Sequence, residues 1–154
     1  GVPGGPFAAA HVASFAHEAK RWPEERFAAL FSHLAAARGL PIVLLGSASE
    51  ALANTRVASL AAGARIFDLA GKTSLPEVLG IVSLADLFVG NDSGLGHIAS
   101  AVGTPTLTLF GPGEPQRYHP WGEHARWLVS PEHDLGKLSA EAVAGEVRKL
   151  CGLG

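Results

Sequence analysis

The run Asn91-Asp92-Ser93-Gly94-Leu95-Gly96-His97 joins an apolar segment to a small-residue stretch with helical character. A loop of this kind leaves the first amides of the helix without partners. With the positive end of the helix dipole, those amides form an anion site suited to a phosphate. The loop also carries an acid and an imidazole, more chemistry than a turn needs. Together these groups point to the diphosphate and sugar of a nucleotide ligand. Asp92 is repelled by phosphates, so it either accepts bonds from sugar hydroxyls or caps the helix. Ser93 is equally able to cap, which frees Asp92 for the sugar. His97 falls in the first helical turn, where a structural role and a place lining the site both fit. Gly94 and Gly96 let a ligand approach the backbone, and each costs about 1 kcal/mol relative to Ala inside a helix.

Three other segments carry candidates. Lys20, a compact cation on a flexible stem, suits a phosphate oxygen or a solvated surface. Trp22, directly before Pro23, is expected to pack the loop against the next helix and so fix where Lys20 points. Glu50 follows an apolar run, where nucleotide-binding folds often place an acid for ribose hydroxyls; an acid at a helix start explains it as well. Lys72, Thr73 and Ser74 lie after the next run, with Ser74 also fit to cap a helix. Other chemistries find no support. His11, His17, His33, His119, His124 and His133 lack metal-ligand spacing, there is no G-x-S-x-G elbow, and the one cysteine, Cys151, stands far from these loops.

The elements that must position these residues follow from periodicity and punctuation. Strands are expected at 7–12, 41–45, 64–69, 84–89, 106–110 and 126–129. Helices are expected from Pro23 to Gly39, at 50–62, from Ser74, at 94–102 and at 138–150. Phe27, Leu30, Phe31 and Leu34 face inward on the first helix, Leu52, Val57 and Leu60 on the second, and Leu79 and Val82 on the third. The segment 111–122 reads as a Gly/Pro-rich loop. Apolar strands alternating with helices indicate an α/β fold, a Rossmann-like doubly wound parallel sheet of about six strands. Ligands of such folds bind outside the carboxyl ends of the strands, so the candidate loops are expected to meet at one edge.

With 154 residues, 47% of them hydrophobic, the chain supports one compact domain over 1–154. A net charge of −2 argues against nucleic acid as a bulk electrostatic partner. One cysteine precludes an internal disulfide and suits a reducing, cytoplasmic compartment. No apolar run is long enough to span a bilayer. The chain has no methionine and begins at Gly1; removal of an initiator Met or a cut from a longer protein would each explain this, and the motifs below favour the second.

The motifs together resemble the lipopolysaccharide heptosyltransferases, glycosyltransferase family 9. The resemblance is carried by Lys20-Arg21-Trp22-Pro23, by Asp92-Ser93-Gly94 with His97, Ala99 and Ala101, and by Gly103-Thr104-Pro105. Leu109-Phe110-Gly111-Pro112 and Pro115 complete it, over roughly residues 7 to 150. The resemblance implies a two-domain GT-B fold of which this chain is the C-terminal, nucleotide-sugar-binding half. It implies ADP-heptose as donor, a lipid A–Kdo core as acceptor, inversion at the anomeric carbon, and no required metal or other cofactor. Lys20 would bind the diphosphate, Asp92 would contact the sugar, and the amides of Ser93, Gly94, Leu95 and Gly96 would hold phosphate. His97 would line the site, Lys72, Thr73 and Ser74 would lie by the adenine, and Glu50 by the ribose. The base for the acceptor hydroxyl would be an acid in the N-terminal domain, so this chain alone is expected not to turn over. Contact with the inner face of the inner membrane would come through the full-length protein. The chain departs from the family's usual pattern at His11-Val12-Ala13-Ser14-Phe15 and at Gly113-Glu114, and both departures touch the donor pocket.

A rival reading starts from Gly94-Leu95-Gly96-His97-Ile98-Ala99, which matches G-x-G-x-x-A with Glu114 some 20 residues on, as in an NAD(P)-binding oxidoreductase domain. Against it, the motif follows the fourth expected strand, and Asp92 crowds the pyrophosphate. A non-catalytic nucleotide-binding module is the third reading.

Overall fold

The computed structural model describes residues 1–14 and 18–152; Phe15 and His17, used in the readings above, lie outside them. Strands Ala8–His11 (β1), Ile42–Leu44 (β2), Ile66–Asp68 (β3), Leu87–Asn91 (β4), Thr106–Phe110 (β5) and Ala125–Val129 (β6) form one sheet. Every neighbouring pair is parallel, in the order β3-β2-β1-β4-β5-β6. The helices are Glu24–Arg38 (α1), Ala51–Leu60 (α2), Leu75–Leu84 (α3), Gly94–Ala101 (α4), Pro115–Tyr118 (α5) and Ala140–Leu150 (α6).

Alternation along the strands divides the core. Ala8 and Ala10 face one cluster with Phe27, Phe31, Val57 and Val147, so α1, α2 and α6 cover that side. Phe7 and Ala9 face the other cluster with Val78, Val82 and Ala99, from α3 and α4. The small side chains of β1 leave room at the sheet's centre for Phe27 and Phe31, both fully buried. Helix α1 starts behind Pro23 with Glu24 and Glu25 in its first turn. It stops at Gly39, whose φ of 62° lets its N–H reach back to the Ala35 carbonyl at 2.8 Å.

The inward faces of two helices differ from expectation. On α2, Leu52 and Leu60 are exposed (61% and 50%), and the buried positions are Asn54 and Val57. Asn54 Nδ2 donates to Asp68 Oδ1 at 2.9 Å, so a polar contact to the end of β3 sets this helix's rotation. On α3 the buried row is Val78, Ile81 and Val82, and Leu79 turns outward. Leu84, expected to open the fourth strand, ends α3, and β4 begins at Leu87. The 111–122 loop contains a helical turn, α5, with Pro115 in its first position.

The strand order fixes where a ligand can sit. From β1 the chain runs through α1 to β2 on one side, and from β4 through α4 to β5 on the other. The loops after β1 and β4 therefore diverge, and a crevice opens between them at the sheet's carboxyl edge.

Candidate functional site

Asn91, the last residue of β4, braces this crevice. Its fully buried side chain accepts the Trp22 N–H at 2.9 Å and donates to the Val12 and Ala13 carbonyls at 3.0 and 3.3 Å. One amide thus ties the loop leaving β1 to the segment entering α1. Trp22 anchors that segment as expected: it is 1% exposed, and its indole N–H donates to the Leu138 carbonyl at 2.8 Å. Its ring meets Phe27 edge-on, with centroids 4.8 Å apart. Lys20 stands two residues before Trp22, so its backbone position is set by this packing.

On the β2 side, Gly46 turns the chain with φ 149° and comes so close to Glu50 that a Cβ there would lie 2.9 Å from Glu50 Oε2. Glu50 Oε2 accepts the Ser47 N–H at 2.7 Å and the Ser47 hydroxyl at 3.1 Å. Glu50 Oε1 lies 3.2 Å from His11 Nε2. The His11 hydrogen bond, against the opposing cost of burial, holds the Glu50 carboxyl down at about 2. Glu50 is therefore ionised at neutral pH. A carboxylate has about four lone-pair sites, so after these bonds capacity remains for a ligand hydroxyl. The other ring nitrogen of His11, Nδ1, lies 3.0 Å from Ser93 Oγ.

That last bond bears on the expected phosphate site. Ser93 occupies the N-cap of α4 in an extended conformation, yet its side chain makes no cap bond. The expectation that Ser93 caps the helix is overturned: its hydroxyl is drawn to His11 across the crevice. Among the described residues the Gly94 and Leu95 amides bond to nothing, while the Gly96 amide turns back to the Ser93 carbonyl at 3.2 Å. Two free N–H groups thus remain at the positive end of α4.

Two cavities meet there. The larger, about 640 Å³, is lined by His11, Ser47, Glu50 and Thr73 and has an apolar side of Val78, Leu95 and Ile98. The second, about 510 Å³, is lined by Lys20, His97, Pro112, Gly113, Glu114 and Tyr118. Asp92, Ser93 and Gly94 belong to both. Lys20 Nζ lies 3.6 Å from Asp92 Oδ2. The cation and the acid assigned to adjacent parts of one ligand thus stand side by side, although 72 positions separate them.

Lys20, Glu50, Thr73, Asp92, Ser93, Gly94, Leu95 and His97 all line these cavities. Lys72, Ser74 and Gly96 do not. Lys72 Nζ turns back to the Asp68 carbonyl at 2.8 Å. Ser74 caps α3 in a reciprocal pair with Glu77. Gly96 gives room to Thr108, whose Oγ1 would lie 3.1 Å from a Cβ there. The cavities add Val78, Ser47 and Tyr118, which carried no motif, and Ile98, which entered only as a spacer of the G-x-G-x-x-A run. They also add His11, weighed as a metal ligand and as the first residue of the loop that departs from the family's pattern. That place at the end of an apolar strand was the one signal for His11.

The G-x-G-x-x-A run follows β4, and its second glycine serves packing against β5. Glu114 lies in the second cavity, 4.0 Å from Arg117, and not in the one that holds Glu50. Both facts remove the basis of the dinucleotide reading. Among the described residues no three His, Cys, Asp or Glu side chains group to hold a metal ion, and no helix is long and apolar enough to cross a membrane.

Residues 5–147 match the family model for glycosyltransferase family 9 (heptosyltransferase). Lipooligosaccharide heptosyltransferase 2 of Haemophilus influenzae is 36% identical over 123 residues, 78% of this chain and 35% of the relative. Lipopolysaccharide heptosyltransferase 1 of Salmonella typhimurium is 34% identical over 128 residues, 83% of this chain and 39% of the relative. The solved ADP-heptose lipopolysaccharide heptosyltransferase II of E. coli superposes with a TM-score of 0.85 at 30% identity, over 95% of this chain and 46% of that one. The E. coli heptosyltransferase WaaC with ADP gives 0.85 at 28% identity, over 95% and 44%. The chain spans less than half the length of each of these relatives. Over the part it spans, this chain belongs to glycosyltransferase family 9, the heptosyltransferases.

Proposed function

We propose that the chain is the donor-binding half of an inverting GT-B glycosyltransferase that moves heptose from ADP-heptose to the lipid A–Kdo inner core of lipopolysaccharide. The observation that carries this reading is the uncapped start of α4 between two cavities, with a half-buried acid on one side and a cation on the other. The diphosphate sits on the Gly94 and Leu95 amides and Lys20. The nucleoside fills the larger cavity, its base against Val78, Leu95 and Ile98 and its ribose hydroxyls on Glu50. The sugar enters the second cavity, where Asp92 accepts its hydroxyls beside His97 and Tyr118.

The chemistry asks for stabilisation of a departing diphosphate as the anomeric bond breaks. Fixed amide dipoles and the Lys20 ammonium supply it without reorganisation. Asp92 beside Lys20 orients that ammonium. On this reading the group that accepts the acceptor hydroxyl's proton belongs to the other half of such an enzyme, and the chain alone binds donor without turnover. The reaction would take place on the cytoplasmic side, at the inner face of the inner membrane, where a lipid-linked acceptor is presented.

Calorimetric titration with ADP, UDP and NAD tests the reading. ADP is expected to bind, with UDP and NAD weaker. Lys20→Ala should weaken ADP binding about tenfold or more with the unfolding transition unchanged, as befits loss of one charged contact. Tight NAD binding without ADP binding would overturn the proposal.

A further inference from the structure

His11 touches both ends of the crevice. It projects from β1, between Glu50 in the turn after β2 and Ser93 at the start of α4, with its side chain 7% exposed. We propose that His11 is a positioning residue for the donor diphosphate, and that its protonation turns the Ser93 hydroxyl from the imidazole to the phosphate, so that donor binding takes up a proton. The inference rests on the donor-site reading above.

The logic is one of hydrogen-bond valence. An ionised Glu50 only accepts, so Nε2 of His11 carries a hydrogen in either state of the ring. Nδ1 decides the rest. In the neutral ring Nδ1 is a lone pair, and the Ser93 O–H donates to it. In the protonated ring Nδ1–H donates to Ser93 Oγ, and the hydroxyl hydrogen is released. An anion on the neighbouring Gly94 and Leu95 amides is where that hydrogen finds an acceptor. Phosphate at α4 and a proton on His11 therefore favour one another, and by linkage each tightens the other. The absent cap fits this arrangement: a serine serving only the helix would bond the amides that Ser93 leaves free. The other titratable groups lining this cavity are the acids Glu50 and Asp92. Asp92 is paired with Lys20, the cation of the neighbouring cavity.

The test is titration calorimetry of the 154-residue chain with ADP-ribose, whose diphosphate diester keeps a constant charge near neutral pH. Measurements run between about pH 6 and pH 8, the range over which an imidazole changes charge, in two buffers of different ionisation enthalpy. The expected result is uptake of up to about one proton per ligand and an affinity that falls with rising pH, by at most about tenfold per unit. His11→Gln should bind without that uptake and with a flat pH profile. If His11→Gln fails to fold, Ser93→Ala, which keeps the ring and removes the hydroxyl, should lose the uptake. Binding by the unaltered chain without uptake, or uptake that survives both substitutions, would overturn the inference alone. Absence of ADP-ribose binding at every pH would overturn the donor-site reading and this inference with it.

Discussion

Asn91→Leu removes the brace of the crevice while keeping the branched shape and heavy-atom count of the side chain. Three bonds go: the acceptor for the Trp22 N–H at 2.9 Å and the donor to the Val12 and Ala13 carbonyls at 3.0 and 3.3 Å. The site is fully buried, so water does not replace them. The Trp22 amide and the Val12 carbonyl are stranded outright, and a buried polar group left unpaired costs about 1–3 kcal/mol. The expected loss is about 2–6 kcal/mol, a large part of the roughly 5–15 kcal/mol that holds a domain folded. Asn91→Asp refines the test. It keeps the acceptor for Trp22 but points carboxylate oxygen at two carbonyls. Its neutral form can still donate to Val12, so the folded state raises its pKa above the ordinary value of about 3.9. A raised acid binds its proton more tightly folded than unfolded. The penalty is therefore small below about pH 4 and grows as pH rises toward the folded pKa. Urea unfolding followed by Trp fluorescence, each variant against the parent chain at the same pH, reads both effects. A leucine variant within about 0.5 kcal/mol of the parent, well under one stranded group, would refute the reasoning. So would a penalty for Asn91→Asp that is the same at acid and neutral pH.

Glu50 makes a second pH prediction of opposite sign. Its carboxyl is lowered from 4.5 to about 2, so its contribution is present above about pH 4.5 and lost as pH falls through 2. A shift of this size corresponds to about 1–3 kcal/mol once partial solvent screening is allowed for. Glu50→Gln should be less stable than the parent chain by about that amount at neutral pH, and the gap should narrow in urea titrations carried out near pH 3; a gap independent of pH would count against the His11 bond as its cause. Ser74→Ala should cost about 1 kcal/mol of stability as a lost cap and leave ADP affinity within about twofold, measured by calorimetry; a tenfold loss of affinity would place Ser74 in the site. Lys72→Ala should likewise leave ADP affinity unchanged in the same titration, because Lys72 turns back to the Asp68 carbonyl.

The fold was legible because its signals are local. Short apolar runs such as 41–45 and 106–110, broken by Gly and Pro, read as buried parallel strands whatever packs on them. Helix faces were less legible: Leu52, Leu60 and Leu79 satisfy a helical period, but the side that turns inward depends on a neighbour. On α2 that neighbour is Asp68, which Asn54 reaches at 2.9 Å. The site divides the same way. Lys20, Asp92 and the glycines of α4 stood out because a cation, an acid and free amides are chemistry that loops seldom carry together.

By itself, the sequence determined the alternation of strands and helices, the glycine-rich loop that opens α4 and the membership of a family with a recognisable motif series. These follow from residue type and short spacing, which act within a few residues along the chain. Tertiary structure alone decided which groups meet. Strand order puts β1 between β2 and β4, and that neighbourhood makes His11 a bridge between Glu50 and Ser93, sets Lys20 against Asp92, and lets Asn91 brace a loop some 80 positions away. It also takes Ser93 from the helix it would otherwise cap. Hydrogen bonds reach about 3 Å, so they depend on which loops the sheet brings together, and no spacing along the chain encodes that directly.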